Sequence, residues 1–365
     1  MVEAAVQWKS APLVLAVLAG LLTFGCGGDQ AAPPDGPPPD DTIPYQNLSR
    51  YGFFSDPVAQ TPAPGVLPYE VVSVLFADGA GKLRFLVVPP GGQIHFDPSG
   101  RWTFPDGTTI IKTFYFDRDL RDPQAGWRLL ETRLLMLRGG TWSAYTYIWD
   151  DAQTQATRWV AGRTLHVTQV GTDGQPLTFD YRVPSTDQCK TCHAQDTVAV
   201  PLGPRTRQLN RTHDYGQGPV NQLDAFAQMG LFDSAIPAPS TLDKLSDPAG
   251  TDALDRRARS YLDANCAHCH NAAGTASNTG LKLNWETTTP VDLGVCRRPV
   301  AAGHGSGNLL FDVVPGQPDQ SIVVYRMRST DPSIKMPQLP TLTSDGFGTQ
   351  LVSDWIAALP AMTCQ

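Results

Sequence analysis

Cys266-Ala267-His268-Cys269-His270 ends a stretch in which Leu254, Ala258, Tyr261 and Leu262 recur at helical spacing. Cys189-Lys190-Thr191-Cys192-His193 has the same form, C-x-x-C-H, earlier in the chain. This is the spacing of c-type haem attachment. Two thiols three positions apart lie on neighbouring turns of a short helix, where each can form a thioether with a former vinyl group of one porphyrin. The adjacent imidazole then ligates the iron. Chance supplies such a pattern only about 0.003 times at these Cys and His frequencies, so two copies predict two haem c groups and their iron. Cys189, Cys192, His193, Cys266, Cys269 and His270 are the residues that hold them. A zinc ribbon requires its C-x-x-C knuckles ~15–20 residues apart, which these are not. A thioredoxin-like redox pair would need a βαβ context and no trailing His.

Outward from the second motif, Leu351, Trp355, Ile356 and Leu359 mark an amphipathic closing helix over 346–359, and Asp252 or Thr251 is placed to cap the helix before Cys266. A helix entering C-x-x-C-H with a C-terminal helix packed across it resembles the cytochrome c fold, expected over 250–365. Ile334-Lys335-Met336-Pro337 resembles the distal-ligand loop of such domains, which makes Met336 the expected sixth ligand of the second haem. Met327 is its rival, but Val323, Val324 and Tyr325 beside it read as a buried element. Arg326 or Arg328 is a candidate partner of a haem propionate, and His304 reads as a loop residue. Cys296 and Cys364, the cysteines left in this region, are expected to pair in an oxidising compartment.

The first haem segment, 185–240, is short for a core of its own and is expected to lean on a neighbour. A helix is expected over 221–232. The sixth ligand is open at this stage: Met229, His213, His166 and His95 are the candidates, besides an open coordination position. Residues 45–184 hold no Cys. Phe85–Val88, Thr109–Phe116, Leu129–Leu137, Ser143–Trp149 and Leu177–Val183 are β-branched and aromatic runs separated by turn residues such as Arg138-Gly139-Gly140 and Thr172-Asp173-Gly174. They predict an all-β sandwich or open barrel. The fold class expected for the whole chain is therefore α+β and multidomain: a β-rich domain, a short haem segment and a mainly α, cytochrome c-like domain.

At the N-terminus, Lys9 precedes an apolar run over 11–22 that ends at Thr23-Phe24-Gly25-Cys26. This reads as a signal peptide over 1–25. A small residue before Cys26 resembles the bacterial lipobox, with Thr23 where Leu is usual. The expectation is lipidation of Cys26 and anchorage to a membrane. The alternative is a plain cleaved signal. The Pro- and Asp-rich stretch over 26–44 is expected to be a disordered tether. On either reading the mature chain is exported, to the periplasm or cell envelope.

Of 365 residues 41% are hydrophobic, enough for several cores, and 17% are charged, below the ~25% average. A net charge of −7 without a Lys/Arg run excludes a nucleic-acid partner. No nucleotide loop or nucleophile motif is present.

A wider resemblance covers nearly all of the expected mature chain. It is carried by Phe85–Val88 before Pro89-Pro90-Gly91, by Phe104-Pro105-Asp106-Gly107-Thr108, and by Lys112-Thr113-Phe114. Trp127 to Leu134, Tyr147-Ile148-Trp149, Pro201 to Asn210, Asp214-Tyr215-Gly216 and Asn221-Gln222-Leu223 continue it. Together these resemble a family of bacterial dihaem c-type cytochromes. The resemblance implies an exported dihaem protein whose haems are held by Cys189, Cys192, His193, Cys266, Cys269 and His270; two haems in one chain are then expected to pass single electrons between donor and acceptor proteins. A dihaem peroxidase-like enzyme with an open first haem, or a haem-based redox or gas sensor, are the other expectations.

Overall fold

The computed structural model describes residues 44–196, 198–339 and 341–365. The signal peptide over 1–25, Cys26 and the tether up to residue 43 lie outside the described residues.

The described chain is β-rich, with helices concentrated after residue 185. A short ribbon of β1 (Phe54–Asp56) and β2 (Thr61–Pro62) precedes a six-stranded antiparallel sheet. The sheet is a meander of β3 (Val66–Pro68), β4 (Gly81–Val87), β5 (Thr109–Asp117), β6 (Trp127–Arg138), β7 (Thr141–Trp149) and β8 (Ala156–Trp159) in sequential order. Gly139 and Gly140, at φ +55° and +73°, form the two-residue turn between β6 and β7. Only such positive φ values let two strands close this tightly with matching twist. A separate hairpin of β9 (Arg163–Val170) and β10 (Pro176–Val183) follows.

Both faces of the sheet are covered. On one, Phe85, Ile111, Leu134, Met136, Tyr147 and Trp149 pack under Tyr45, Leu48 and Tyr51. The other face carries two apolar clusters. Leu86, Ile110, Leu135 and Leu137 share a core with Leu209, Leu223, Phe226 and Phe232. Phe114, Phe116, Leu130 and Ile148 pack against Val167, Tyr181 and Val183 of the hairpin. Residues 209–232 therefore have no separate core; their apolar side chains complete that of the sheet.

The first motif forms the end of α1 (Thr186–His193). A capping box starts this helix: Ser185 Oγ accepts from Gln188 N at 3.3 Å, and Gln188 Oε1 accepts from Ser185 N at 2.9 Å. Ribbon β11 (Ala194–Gln195) and β12 (Val198–Ala199) follows, then α2 (Thr206–Leu209), ribbon β13 (Thr212–Asp214) and β14 (Pro219–Asn221), and α3 (Gln222–Gln228). α3 is shorter than the expected helix over 221–232, because Gly230 at φ +71° turns the chain.

The second motif follows α4 (Leu254–Asn265), whose first turn has Ala253 at the N-cap and no side-chain cap, unlike the expectation for Asp252 or Thr251. α5 (Ile322–Arg328) and α6 (Gly346–Ala358) complete the helical part. α6 packs on both α4 and α5. At the α4–α6 crossing, a Cβ on Gly348 would sit 2.1 Å from the Tyr261 ring, so only glycine permits this approach. Tyr261 Oη donates to Asp345 Oδ2 at 3.0 Å, tying the two helices at the same point. Cys296 and Cys364 form a disulfide that joins the chain end to the loop after the second motif.

Two straps bind the sheet side to the helical side. Asn265 Oδ1 accepts from Phe76 N at 2.7 Å, and its Nδ2 donates to Val74 O at 3.1 Å. Asp78 accepts from the backbone N–H groups of Leu342 and Thr343 at 2.8 and 2.9 Å.

Candidate functional site: two adjoining C-x-x-C-H motifs

The two motifs, far apart in sequence, touch. Cys269 Sγ donates to Thr191 O at 3.4 Å, and Thr275 Oγ1 donates to the same carbonyl at 3.0 Å. Asp196 N donates to Ala273 O at 2.9 Å. Each motif borders its own cavity. The first, about 740 Å³, is lined by Cys189, Cys192 and His193. The second, about 230 Å³, is lined by Cys266, Cys269 and His270, with Met327 and Met336 on its wall. Cys192, His268 and Leu339 border both and so partition them.

The donor atoms suit haem attachment. All four motif cysteines are free of disulfides and half-buried. Burial pushes the Cys189 thiol up and the Cys266 thiol up to about 12. Cys192 donates to Cys269, which holds the Cys269 thiol down and raises that of Cys192.

The two terminal imidazoles are held alike. His193 Nδ1 lies 2.8 Å from Val200 O, a carbonyl that can only accept, so Nδ1 carries the proton and Nε2 keeps its lone pair. His270 Nδ1 lies 3.2 Å from Thr279 Oγ1. That hydroxyl donates its own hydrogen to Ala276 O at 2.7 Å, so it accepts from His270 Nδ1, and again Nε2 keeps its lone pair. Burial lowers both imidazoles to about 4, which keeps them neutral.

The cavities differ in size relative to a cofactor. The first falls in the ~300–1,000 Å³ span of small-molecule and cofactor sites, and the second lies under it.

Met336 and Met327 both line the second cavity, but their settings differ. Met327, on α5, is 6% exposed and belongs to the helical core, whereas Met336 lies in a loop with its N–H on Arg326 O at 3.0 Å. Arg326 lines the same cavity and donates from Nε to Ile334 O at 2.8 Å. Arg328 forms an exposed ion pair with Asp319 at 2.6 Å. His304 lies exposed in a 3-10 turn and borders neither cavity.

The four sixth-ligand candidates for the first haem are not brought to its cavity. Met229 stands at the end of α3, 46% exposed. His213 faces Glu70 at 3.5 Å and packs edge-on to Tyr215. His95 and His166 are surface partners of Asp233 and Asp180. The apolar face of α3 is spent on the shared core, which leaves its C-terminal Met outside.

Two features escape motif reading. Arg84, Lys112 and Arg133 sit directly opposite one another on β4, β5 and β6 and line the first cavity. Like charges so placed destabilise a sheet. Glu131, fully buried, pairs with Arg133 at 2.5 Å. The Phe114 ring lies 4.4 Å from the Arg133 guanidinium and 5.0 Å from Lys112 Nζ. Burial pushes the Lys112 ammonium down to about 7. The available signal is one basic residue in the middle of each of three apolar strands. On the other side of the cavity Arg205 pairs with buried Asp263. The second missed feature is His268, inside the second motif.

No protein family, curated protein or solved structure matches this chain. Among the described residues no helix is long and apolar enough to cross a membrane.

Proposed function

We propose that this chain is an exported dihaem c-type cytochrome that transfers single electrons. The observation that carries the reading is the pair of C-x-x-C-H motifs, each bordering a cavity and each with its terminal imidazole held by Nδ1. When bound, haem supplies reversible one-electron chemistry at iron. The residues hold and tune it. Cys189 and Cys192, and Cys266 and Cys269, anchor the two groups; His193 and His270 present Nε2 as proximal ligands. Met336, which lines the second cavity, would provide a thioether, a ligand that raises the potential and favours electron transfer over ligand chemistry. The packing of α4, α5 and α6 around the second motif supports a cytochrome c-like unit over 250–365.

Direct contact between the motif loops supports electron passage between the two groups without a partner. Redox donor and acceptor proteins complete the path. The Cys296–Cys364 bond suits an oxidising compartment, in keeping with export and a lipid anchor at Cys26. A second reading, a dihaem redox enzyme, draws on the larger volume of the first cavity and its cationic wall. Carbon monoxide added to the reduced protein separates the two. An electron carrier with both irons saturated leaves it unbound, while rapid binding at one haem assigns catalysis or sensing.

A further inference from the structure

His268 occupies the third position of the second motif, yet the residue borders the first cavity as well as the second. It is 9% exposed; its ring makes a side-chain hydrogen bond with Cys269, but Nδ1 has no hydrogen-bond partner. An orphaned buried polar atom costs ~1–3 kcal/mol and calls for a partner. The nearest reactive groups are the thiols of Cys192 and Cys269. Their sulfurs and a His268 ring nitrogen lie within 4.8 Å of one another. Attachment of haem converts both sulfurs to thioethers and leaves the imidazole as the strong donor of the three.

The first cavity lacks any other ligand of that kind. Among the described residues its lining holds no methionine, and the histidines in it are His193 and His268. His193 is committed as the proximal ligand of the first motif. The bonds from Thr275 to Thr191 and from Asp196 to Ala273 hold the chain after His268 against the end of α1 and the residues that follow it.

We propose that His268 is the sixth ligand of the first haem iron, so that the second motif completes the coordination of the first. The proposal rests on the dihaem reading above. It gives the first haem two imidazoles and the second an imidazole and a thioether, two different coordination sets in one chain. It also makes the first site dependent on correct folding of the second.

The test uses the full-length holoprotein and its His268→Ala variant, each first assayed for covalent haem. In the wild type, low-temperature electron paramagnetic resonance should resolve two low-spin species, one of them bis-imidazole. In His268→Ala the bis-imidazole signal should be replaced by a high-spin signal, and half of the reduced haem should bind carbon monoxide. Added imidazole should restore the low-spin state, and His268→Met should stay low-spin with a new sulfur-to-iron band. Two covalent haems with an unchanged spectrum in His268→Ala overturn the ligand assignment alone. A high-spin first haem in the wild type overturns it without any variant. A chain that carries zinc and no covalent haem overturns the dihaem reading itself.

Discussion

Cys269, in the second C-x-x-C-H motif, donates its thiol hydrogen to the backbone carbonyl of Thr191, inside the first, at 3.4 Å. This contact brings the two motifs directly together. If each holds a haem, as proposed, charge on one should be felt at the other through a short, poorly screened distance.

Replacing Cys189 and Cys192 by Ala should leave a chain with a single haem whose midpoint potential differs from that of the same haem in the wild type. Potentiometric titration followed by absorbance checks this. An identical midpoint in both proteins would show that the sites do not interact.

Met336→Ala should remove the sulfur-to-iron charge-transfer band and lower the potential of the second haem. Met327→Leu should leave the band in place. Because Met327 is packed in the helical core, that swap of similar volume should cost under about 1.5 kcal/mol in denaturant unfolding. A band that follows Met327 instead reverses the two assignments.

Asp263 has a fully buried side chain, pairs with Arg205 and accepts from Trp285 N at 2.9 Å. Asp263→Ala leaves the guanidinium beside the first cavity without its charge partner, a change that typically costs ~3–5 kcal/mol. Urea unfolding of the variant should show a loss of that order, and Asp263→Asn a smaller one. A loss under about 1 kcal/mol would mean that solvent replaces the carboxylate and that the pair is not structural.

Lys112 supplies a pH dependence whose sign can be worked out. Its folded-state ammonium is pushed down to about 7 from 10.5 by burial, with Arg84 and Arg133 adding repulsion. Between those values the unfolded chain binds a proton that the folded chain does not, so stability rises with pH through the window and falls as pH drops toward 7. Below about 7 both states are protonated and the Lys112 contribution becomes flat. Urea unfolding of the wild type against Lys112→Met at pH 7 and pH 9 should show the variant gaining on the wild type at the lower pH. A difference that does not change with pH would place the ammonium in water.

Much of the architecture is legible before any coordinates. β-branched and aromatic runs bounded by turn residues place β5 to β7 and the end of β4, and the apolar spacing of Leu254, Ala258, Tyr261 and Leu262 places α4. The pairing of Cys296 with Cys364 follows from compartment chemistry. What stays hidden depends on tertiary register. Nothing local says that Arg84, Lys112 and Arg133 align across three strands, because register is set by the whole sheet. Met229 is the nearest Met to the first motif in sequence, but α3 spends its buried face on the sheet core and leaves that residue exposed. His268 was overshadowed by the motif that contains it: C-x-x-C-H assigns no role to its third position, and only the meeting of the two loops gives that residue a second cavity to border.

The most direct test of the account is the intact mass of the exported protein under denaturing conditions, read beside its pyridine haemochrome. Covalent attachment at both motifs predicts the mature chain plus two haem groups, falling to one when either cysteine pair is changed to Ala. A mature chain at its unmodified mass, with four motif thiols still open to alkylation, would contradict it.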